Sequence, residues 1–337
     1  MFPRRRYRVA VLGATGAVGT ELLKELDGRR FPTSEVRALC SPKSAGGEVS
    51  HGNRTLIATA AVEAQFEGVE IVFSAAGDEA AAAWLPAAQA AGAVCIDTSG
   101  WSRAQGNTPL VVPEVNPERL AHQTGLVASP GASTIAASLA LAPLKALGGG
   151  IDHVVVTSME PASGAGQKGL TELSGQAVSL LNFRPVEVEV HPARLAFNCI
   201  PQVGALNDAG VSAEERTIES GLKTLLDVKA IATCVRVPVF VGLSLSLTVR
   251  LKQAVTTEAV TAALATAPGL SVVDDREPPY PMVMDVSDED YVQVGRVRVD
   301  GDVVRLWVVA DNLRKGAATN MVQIAELLDM VWTAAGA

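Results

Sequence analysis

Apolar residues fall in short uninterrupted runs along the first third of the chain and in longer, alternating runs after residue 150. A short apolar run bounded by turn residues suits a strand buried on both faces, whereas alternation suits a strand with one face in the core. Residues 8–12, Arg-Val-Ala-Val-Leu, form the first run and lead through Gly13-Ala-Thr-Gly-Ala-Val-Gly19 into Glu21-Leu-Leu-Lys-Glu-Leu26, which is apolar at helical spacing. Further runs at 36–40, 69–75 and 94–98, with an alanine-rich helix over 78–91 between the last two, repeat the alternation of strand and helix. This order predicts a parallel doubly wound sheet of Rossmann type over residues 1–130.

After Pro130 the pattern changes. A helix over 134–147 runs through Gly148-Gly149-Gly150 into a strand over 153–159, and strands follow at 232–240 and 245–251. Two alternating runs, 294–299 and 303–309, flank Asp300-Gly301-Asp302, a hairpin signal. The second domain, 131–315, is therefore predicted to be α+β around a mostly antiparallel sheet, and a last helix over 316–335 carries apolar residues at Ala318, Val322, Ala325, Leu328 and Met330.

Composition narrows the class. A chain of 337 residues with a net charge of −8 has room for two domains and lacks the basic footprint of a nucleic-acid surface. No apolar run approaches the roughly 18 residues of a membrane helix. The start, Met-Phe-Pro-Arg-Arg-Arg-Tyr-Arg, enters a strand without a secretory leader's apolar stretch, so the cytoplasm is expected, with Arg4, Arg5 and Arg6 as a solvated terminus. Cys40, Cys95, Cys199 and Cys234 form no C-x-x-C pair and read as free, mostly buried thiols; no metal site is expected.

Gly13-x-x-Gly16-x-x-Gly19 between a strand and a helix points to a dinucleotide. The glycines allow the tight turn, and the N–H groups over Thr15, Ala17 and Val18, with the positive helix end, would face a pyrophosphate. The alternative is a vestigial turn. After the second strand, Ser41, Lys43 and Ser44 stand where an NAD enzyme usually places an acid for the ribose. Hydroxyls and a lysine suit a 2′-phosphate, so NADP is expected ahead of NAD; a polar turn with a solvated lysine is the other reading.

These segments do not stand alone. Ser74-Ala-Ala-Gly77, Val111-Val-Pro-Glu-Val-Asn-Pro117, Ser129-Pro-Gly-Ala-Ser-Thr-Ile135, Ser163-Gly-Ala-Gly166, Leu195-Ala-Phe-Asn198, Ala232-Thr-Cys-Val-Arg-Val-Pro-Val239 and Asp311-Asn-Leu-Arg-Lys-Gly-Ala-Ala318 together cover both halves. In this combination the chain resembles the aspartate-semialdehyde dehydrogenase family. The resemblance implies a homodimer, with pairing of dimers into tetramers left open, a final helix that returns to the first domain, a small-molecule substrate, and Ala75, Gly77, Ser163, Gly164 and Asn312 near the cofactor. It also implies a reaction in which a cysteine attacks the semialdehyde, hydride passes to NADP⁺ and phosphate releases the acyl group.

Carried over residue by residue, that chemistry is largely missing. The cysteine position is Ala132, the histidine position Leu243, and the substrate-orienting glutamine Glu160. The phosphate-binding arginine falls on Ser102, with Arg103 next to it; Glu214 keeps the family's acid, but its lysine is Thr217. Arg236 stands unaltered as the fork for a substrate carboxylate. Nucleophile and base act as a unit, so their joint loss is expected to abolish the reaction and leave an apolar wall around Ala132. Ser133 lacks a partner base in this reading, since His51, His122, His153 and His191 lie outside the family's active-site segments. Three readings follow: an NADP-binding homologue without thioester chemistry, like Usg-type members of the family; a reductase of another carbonyl with Glu160 or Arg236 near its substrate; or the family activity sustained by other groups.

Overall fold

The computed structural model describes residues 5–334, so Arg4 and the predicted helix end at residue 335 lie outside it. By contacts the chain divides into two units: Met1–Pro130 with Ala317–Ala337, and Gly131–Gly316. The first contains β1 (Tyr7–Leu12), α1 (Ala17–Gly28), β2 (Thr33–Cys40), β3 (Glu48–His51), β4 (Arg54–Ile57), β5 (Thr59–Ala60), β6 (Ile71–Ser74), α2 (Asp78–Ala90), β7 (Val94–Asp97), α3 (Gly100–Ala104) and β8 (Leu126–Ala128). Its main sheet runs β5-β2-β1-β6-β7-β8 with all neighbours parallel. Both faces are covered: Val9 and Val11 point into one core with Leu22, Leu23 and Leu26, while Ala10 and Leu12 point into another with Ala81 and Leu85. Burial on both sides is why β1 reads as a continuous apolar run.

The second unit contains α4 (Ala132–Leu141), β9 (Ile151–Glu160), α5 (Gly166–Leu181), α6 (Ala213–Leu226), β10 (Lys229–Arg236), β11 (Leu243–Leu251), α7 (Thr257–Ala265), β12 (Leu270–Val273), β13 (Val292–Asp300) and β14 (Val303–Ala310). Its sheet is β10-β9-β11-β14-β13-β12; the three inner pairings are antiparallel and both edge pairings parallel, so the sheet is mixed. The fold is thus α/β, with a Rossmann-like parallel domain and a second domain on a mixed sheet. Along β9, Val154, Val156, Ser158 and Glu160 are buried on one side, while Val155 lies 40 % exposed on the other.

The last helix, α8 (Thr319–Ala334), packs into the first unit. Met321, Val322, Ile324, Ala325 and Leu328 enter the same core as β1, Tyr7 donates to Asp329 at 2.8 Å, and Asn320 donates to Ser129 at 2.8 Å. A wider π turn, Arg314–Ala318, precedes it, so the helix predicted from residue 316 starts its regular turns later. Among the described residues no helix is long and apolar enough to cross a membrane.

Several local expectations needed correction. The helix after Pro130 ends its α-helical part at Leu141, where Pro143 tightens the chain into 3₁₀ turns over Ala142–Ala146. The strand expected at 232–240 runs from Lys229 to Arg236. Arg5 is not simply solvated: it pairs with Glu70 at 2.9 Å and lies over the rings of Tyr7 and Trp332. Cys199 is exposed rather than buried, two residues beyond Phe197, whose left-handed φ of 58° turns the chain. Cys40, Cys95 and Cys234 are buried; burial raises each thiol's pKa, that of Cys95 up to about 12.

Candidate functional site

In the first unit, the Gly13–Gly19 turn leaves no room for side chains. A Cβ on Gly13, which has φ 85°, would come 2.9 Å from the carbonyl oxygen of Ala75, and one on Gly19 would come 2.1 Å from that of Gly13. Gly16 caps α1 in an extended conformation (φ −83°, ψ 169°), with no side-chain cap and no acid in the first turn. The N–H groups of Ala17, Val18 and Gly19 therefore take no acceptor from the described chain. Donors without acceptors at a helix N-terminus, on a turn stripped of Cβ atoms, fit a pyrophosphate.

The residues expected around this turn are positioned as follows. Thr15 is half-buried, with its methyl 4.0 Å from where a Cβ on Gly47 would sit. Ser41, Lys43 and Ser44 form the turn directly after β2, Lys43 exposed and its ammonium unpaired among the described residues. Ala75 follows β6, its N–H donating to Leu12 at 2.9 Å, and Gly77 caps α2 with open space around it. Arg103, at the end of α3, donates to the Thr98 carbonyl at 2.7 Å, while Ser102 is fully buried. The guanidinium of Arg103, rather than the hydroxyl of Ser102, is the group left to meet an anion.

The second unit gathers a different set around the start of α4. Ala132 opens this helix after the extended cap Gly131. A Cβ on Gly131 would come 3.3 Å from Glu214 Oε1 and 4.0 Å from the Thr217 methyl; one on Gly316 would come 2.6 Å from the Ala132 methyl. Glu214 and Thr217 on α6 thus face the turn at Ala132. Leu243 is fully buried at the start of β11 and pairs with Ala310.

The next residue of α4, Ser133, enters a buried polar cluster. The hydroxyls of Ser133 and Ser158 lie 2.9 Å apart, Ser158 donates to Glu160 Oε1 at 2.7 Å, and Ser133 donates closely to the same oxygen. Ser133 is 1 % exposed and Glu160 6 %, so the hydroxyl that seemed partnerless is held by a carboxylate and sealed from a substrate. The positive end of α4 helps a buried carboxylate to be tolerated there.

Arg236 is the Cα partner of Glu160 in the parallel register of β10 and β9 and is 7 % exposed. Burial lowers the pKa of its guanidinium, while the charges of Glu160 and Glu214 act in the opposite direction. One nitrogen donates to the Pro161 carbonyl, and a Cβ on Gly164 would come 2.5 Å from it, so only glycine leaves room for the arginine. Asn312 bridges two loops of the same unit: its Nδ2 donates to Ser163 at 2.9 Å and its Oδ1 accepts from the Gly242 N–H at 2.9 Å. The side chains of Ser163 and Asn312 hold each other, an arrangement that stiffens the loops next to Arg236.

Comparison with known proteins points one way. Residues 8–123 match the family described as semialdehyde dehydrogenase, NAD binding domain, and residues 141–315 the family described as semialdehyde dehydrogenase, dimerisation domain. The chain is 40 % identical over 332 residues to aspartate-semialdehyde dehydrogenase 2 of Vibrio cholerae, covering 96 % of this chain and 98 % of that one. It is 39 % identical over 328 residues to the USG-1 protein homolog of Azotobacter vinelandii, covering 95 % and 97 %. The solved structure of Vibrio cholerae aspartate semialdehyde dehydrogenase II complexed with ASA superposes with a TM-score of 0.92 at 39 % identity, covering 96 % of this chain and 98 % of that one.

Proposed function

Because the chain belongs to the aspartate-semialdehyde dehydrogenase family, we propose that it is an NADP-binding member of that family that does not perform the family's thioester chemistry. The observation that carries this reading is the methyl of Ala132 at the start of α4, with Leu243 buried where the resemblance calls for an imidazole. Without a sulfur no acyl-enzyme forms, and without a base no thiol or alcohol proton is taken up. The two histidines of the second unit are engaged elsewhere, His153 with Asp152 and His191 with Glu172.

Gly13, Gly16 and Gly19 with the free N–H groups of α1 fit the pyrophosphate, and Ser41, Lys43 and Ser44 fit a 2′-phosphate better than a bare ribose hydroxyl. A bound nicotinamide would supply hydride chemistry. This chain's own contribution to ligand binding is Arg236 for a carboxylate, with Glu160 and Glu214 as the anionic side of the site. The matched dimerisation domain and the exposed Val155 and Ile231 support a homodimer through the open face of the second sheet.

The test pairs binding with turnover. NADP should raise the melting temperature more than NAD at equal concentration, and the purified protein should show no phosphate-dependent oxidation of aspartate semialdehyde above a buffer blank. Turnover on the order of ~10 s⁻¹, the enzyme median, would defeat the reading. The intact glycine turn favours one alternative, hydride transfer to another carbonyl without a covalent intermediate. NADPH consumption with a non-semialdehyde carbonyl would select it.

A further inference from the structure

We propose that a cavity at the starting ends of the first sheet's parallel strands is a second anion site, and that it takes a phosphomonoester of a hydroxylated carbon chain. The cavity encloses about 590 Å³ and lies wholly within the first unit. Arg6 before β1, Arg30 after α1 and Arg54 at the start of β4 line it, together with Asp27 and His51. The glycine turn leaves from the other end of β1, which at six residues is about 20 Å long. The cavity is therefore separate from the place of a dinucleotide.

Its charge is not cancelled by the chain. Two of its arginines have a neighbour in sequence that is already matched: Arg5 pairs with Glu70 at 2.9 Å and Arg29 with Glu326 at 2.8 Å. Arg6 and Arg30 themselves, like Arg54, make no hydrogen bond or ion pair among the described residues. Glu35, at the rim on β2, is held by Arg37 at 2.7 Å. Asp27 is the one acid among the described lining residues, and its side chain also lacks a partner there. Three guanidiniums against one carboxylate leave a formal excess of two positive charges, on a chain whose net charge is −8.

The backbone gives a second, independent sign. Arg30 has φ 54° and closes α1: its N–H donates to the Asp27 carbonyl at 2.9 Å, and the Phe31 N–H donates to the Leu26 carbonyl at 2.9 Å. Helices that end this way mostly place glycine at the left-handed position, because a Cβ is disfavoured there. An arginine kept at such a position points to a use for its side chain. His51 is 8 % exposed, and its Nδ1 lies 2.9 Å from the Leu23 carbonyl oxygen, which can only accept. Nδ1 therefore carries the proton, and Nε2 of the neutral ring is an acceptor. Nε2 is not among the sealed atoms without a partner, so it stays open to the cavity that the ring lines.

These groups restrict the ligand. Guanidiniums only donate, and their planar fork matches a phosphate. A phosphomonoester carries about two negative charges near pH 7, which offsets the excess. Asp27 and His51 Nε2 call for donors that an anionic oxygen lacks and a hydroxyl supplies, and the hydroxyls of Thr33 and Ser34 at the start of β2 add to them. Inorganic phosphate would meet the arginines and leave both acceptors unserved. The chemical class is a sugar phosphate.

Titration calorimetry on the full chain tests this with ribose 5-phosphate, ribose and inorganic phosphate. Ribose 5-phosphate should bind about tenfold or more tighter than either of the others, the scale of a hydrogen bond to a charged group. R30G should melt no lower than the wild type, since glycine suits the left-handed position, yet bind ribose 5-phosphate about tenfold more weakly. R54Q, on the exposed hairpin, should lose affinity similarly, while R103Q on α3 should leave it unchanged. No saturable binding of ribose 5-phosphate, inorganic phosphate binding as tightly, or full affinity in both R30G and R54Q each overturns the proposal. Turnover of aspartate semialdehyde would instead overturn the loss of thioester chemistry and leave these affinities untouched.

Discussion

Under the proposed function, Ala132 and Leu243 decide the chemistry, because neither side chain can act as nucleophile or base. Restoring the thiol alone should therefore do little. In A132C the new thiol would have no imidazole to take its proton, because position 243 is a leucine. The expected outcome is phosphate-dependent oxidation of the semialdehyde at blank level for A132C and for L243H, with measurable turnover only in the double variant, a coupling larger than additive. L243H should also cost about 1–3 kcal/mol of stability, since it places a polar ring at a fully buried position. Equal activity in A132C and the double variant would argue against the missing base. Native thiol titration should meanwhile find Cys199, the exposed one of the four. Its exposure was not legible from its apolar neighbours, because the left-handed turn at Phe197 is a backbone event that residue types do not announce.

At the scale of one helix, α5 pins the loop over residues 187–196 through two side chains one turn apart. Glu172 accepts from the N–H groups of Glu189 at 2.8 Å, Val190 and His191, and from the His191 ring at 3.0 Å; Gln176 accepts from Leu195 at 2.9 Å and Ala196 at 3.1 Å. Burial alone would raise the pKa of Glu172, but these donors outweigh it and hold the group below the ordinary carboxylate value. A carboxylate whose pKa is depressed by folding stabilises the native state above its unfolded value of about 4.3. That contribution is lost as the pH falls below this value and through the folded pKa. Amide exchange across the loop should accordingly accelerate as the pH drops below ~4 relative to the rest of the chain. E172Q should expose the loop already at neutral pH and flatten the dependence. A loop equally protected in both proteins would show that other contacts hold it. Neither the helix nor its grip on the loop was read from the sequence, since Glu172 and Gln176 meet backbone N–H groups that carry no residue signature.

For the whole molecule, the second sheet leaves one face uncovered. Ile231 and Val155 are register partners on that face, 48 % and 40 % exposed, with Thr248 beside Val155 on β11. Light scattering should give twice the chain mass at micromolar concentration, and V155D/I231D should halve it without unfolding the chain. A monomeric wild type would exclude this face as the dimer contact. The same sheet shows where reading by residue ends. The glycine turn, the alternation of β1, α1 and β2, and the hairpin of β13 and β14 were legible because each depends on neighbours in sequence: glycine spacing, apolar runs and the period of a strand. The residue types at Ala132 and Leu243 were legible as well, a methyl and an isobutyl group that can serve as neither nucleophile nor base. The polar cluster was not, because Ser133, Ser158 with Glu160, and Arg236 come from α4, β9 and β10, and only strand pairing and the docking of α4 bring them together. The sequence by itself determined which side chains stand at positions 132 and 243; tertiary structure decided which charges meet beside α4, because electrostatic contact depends on distance in space and not on separation along the chain.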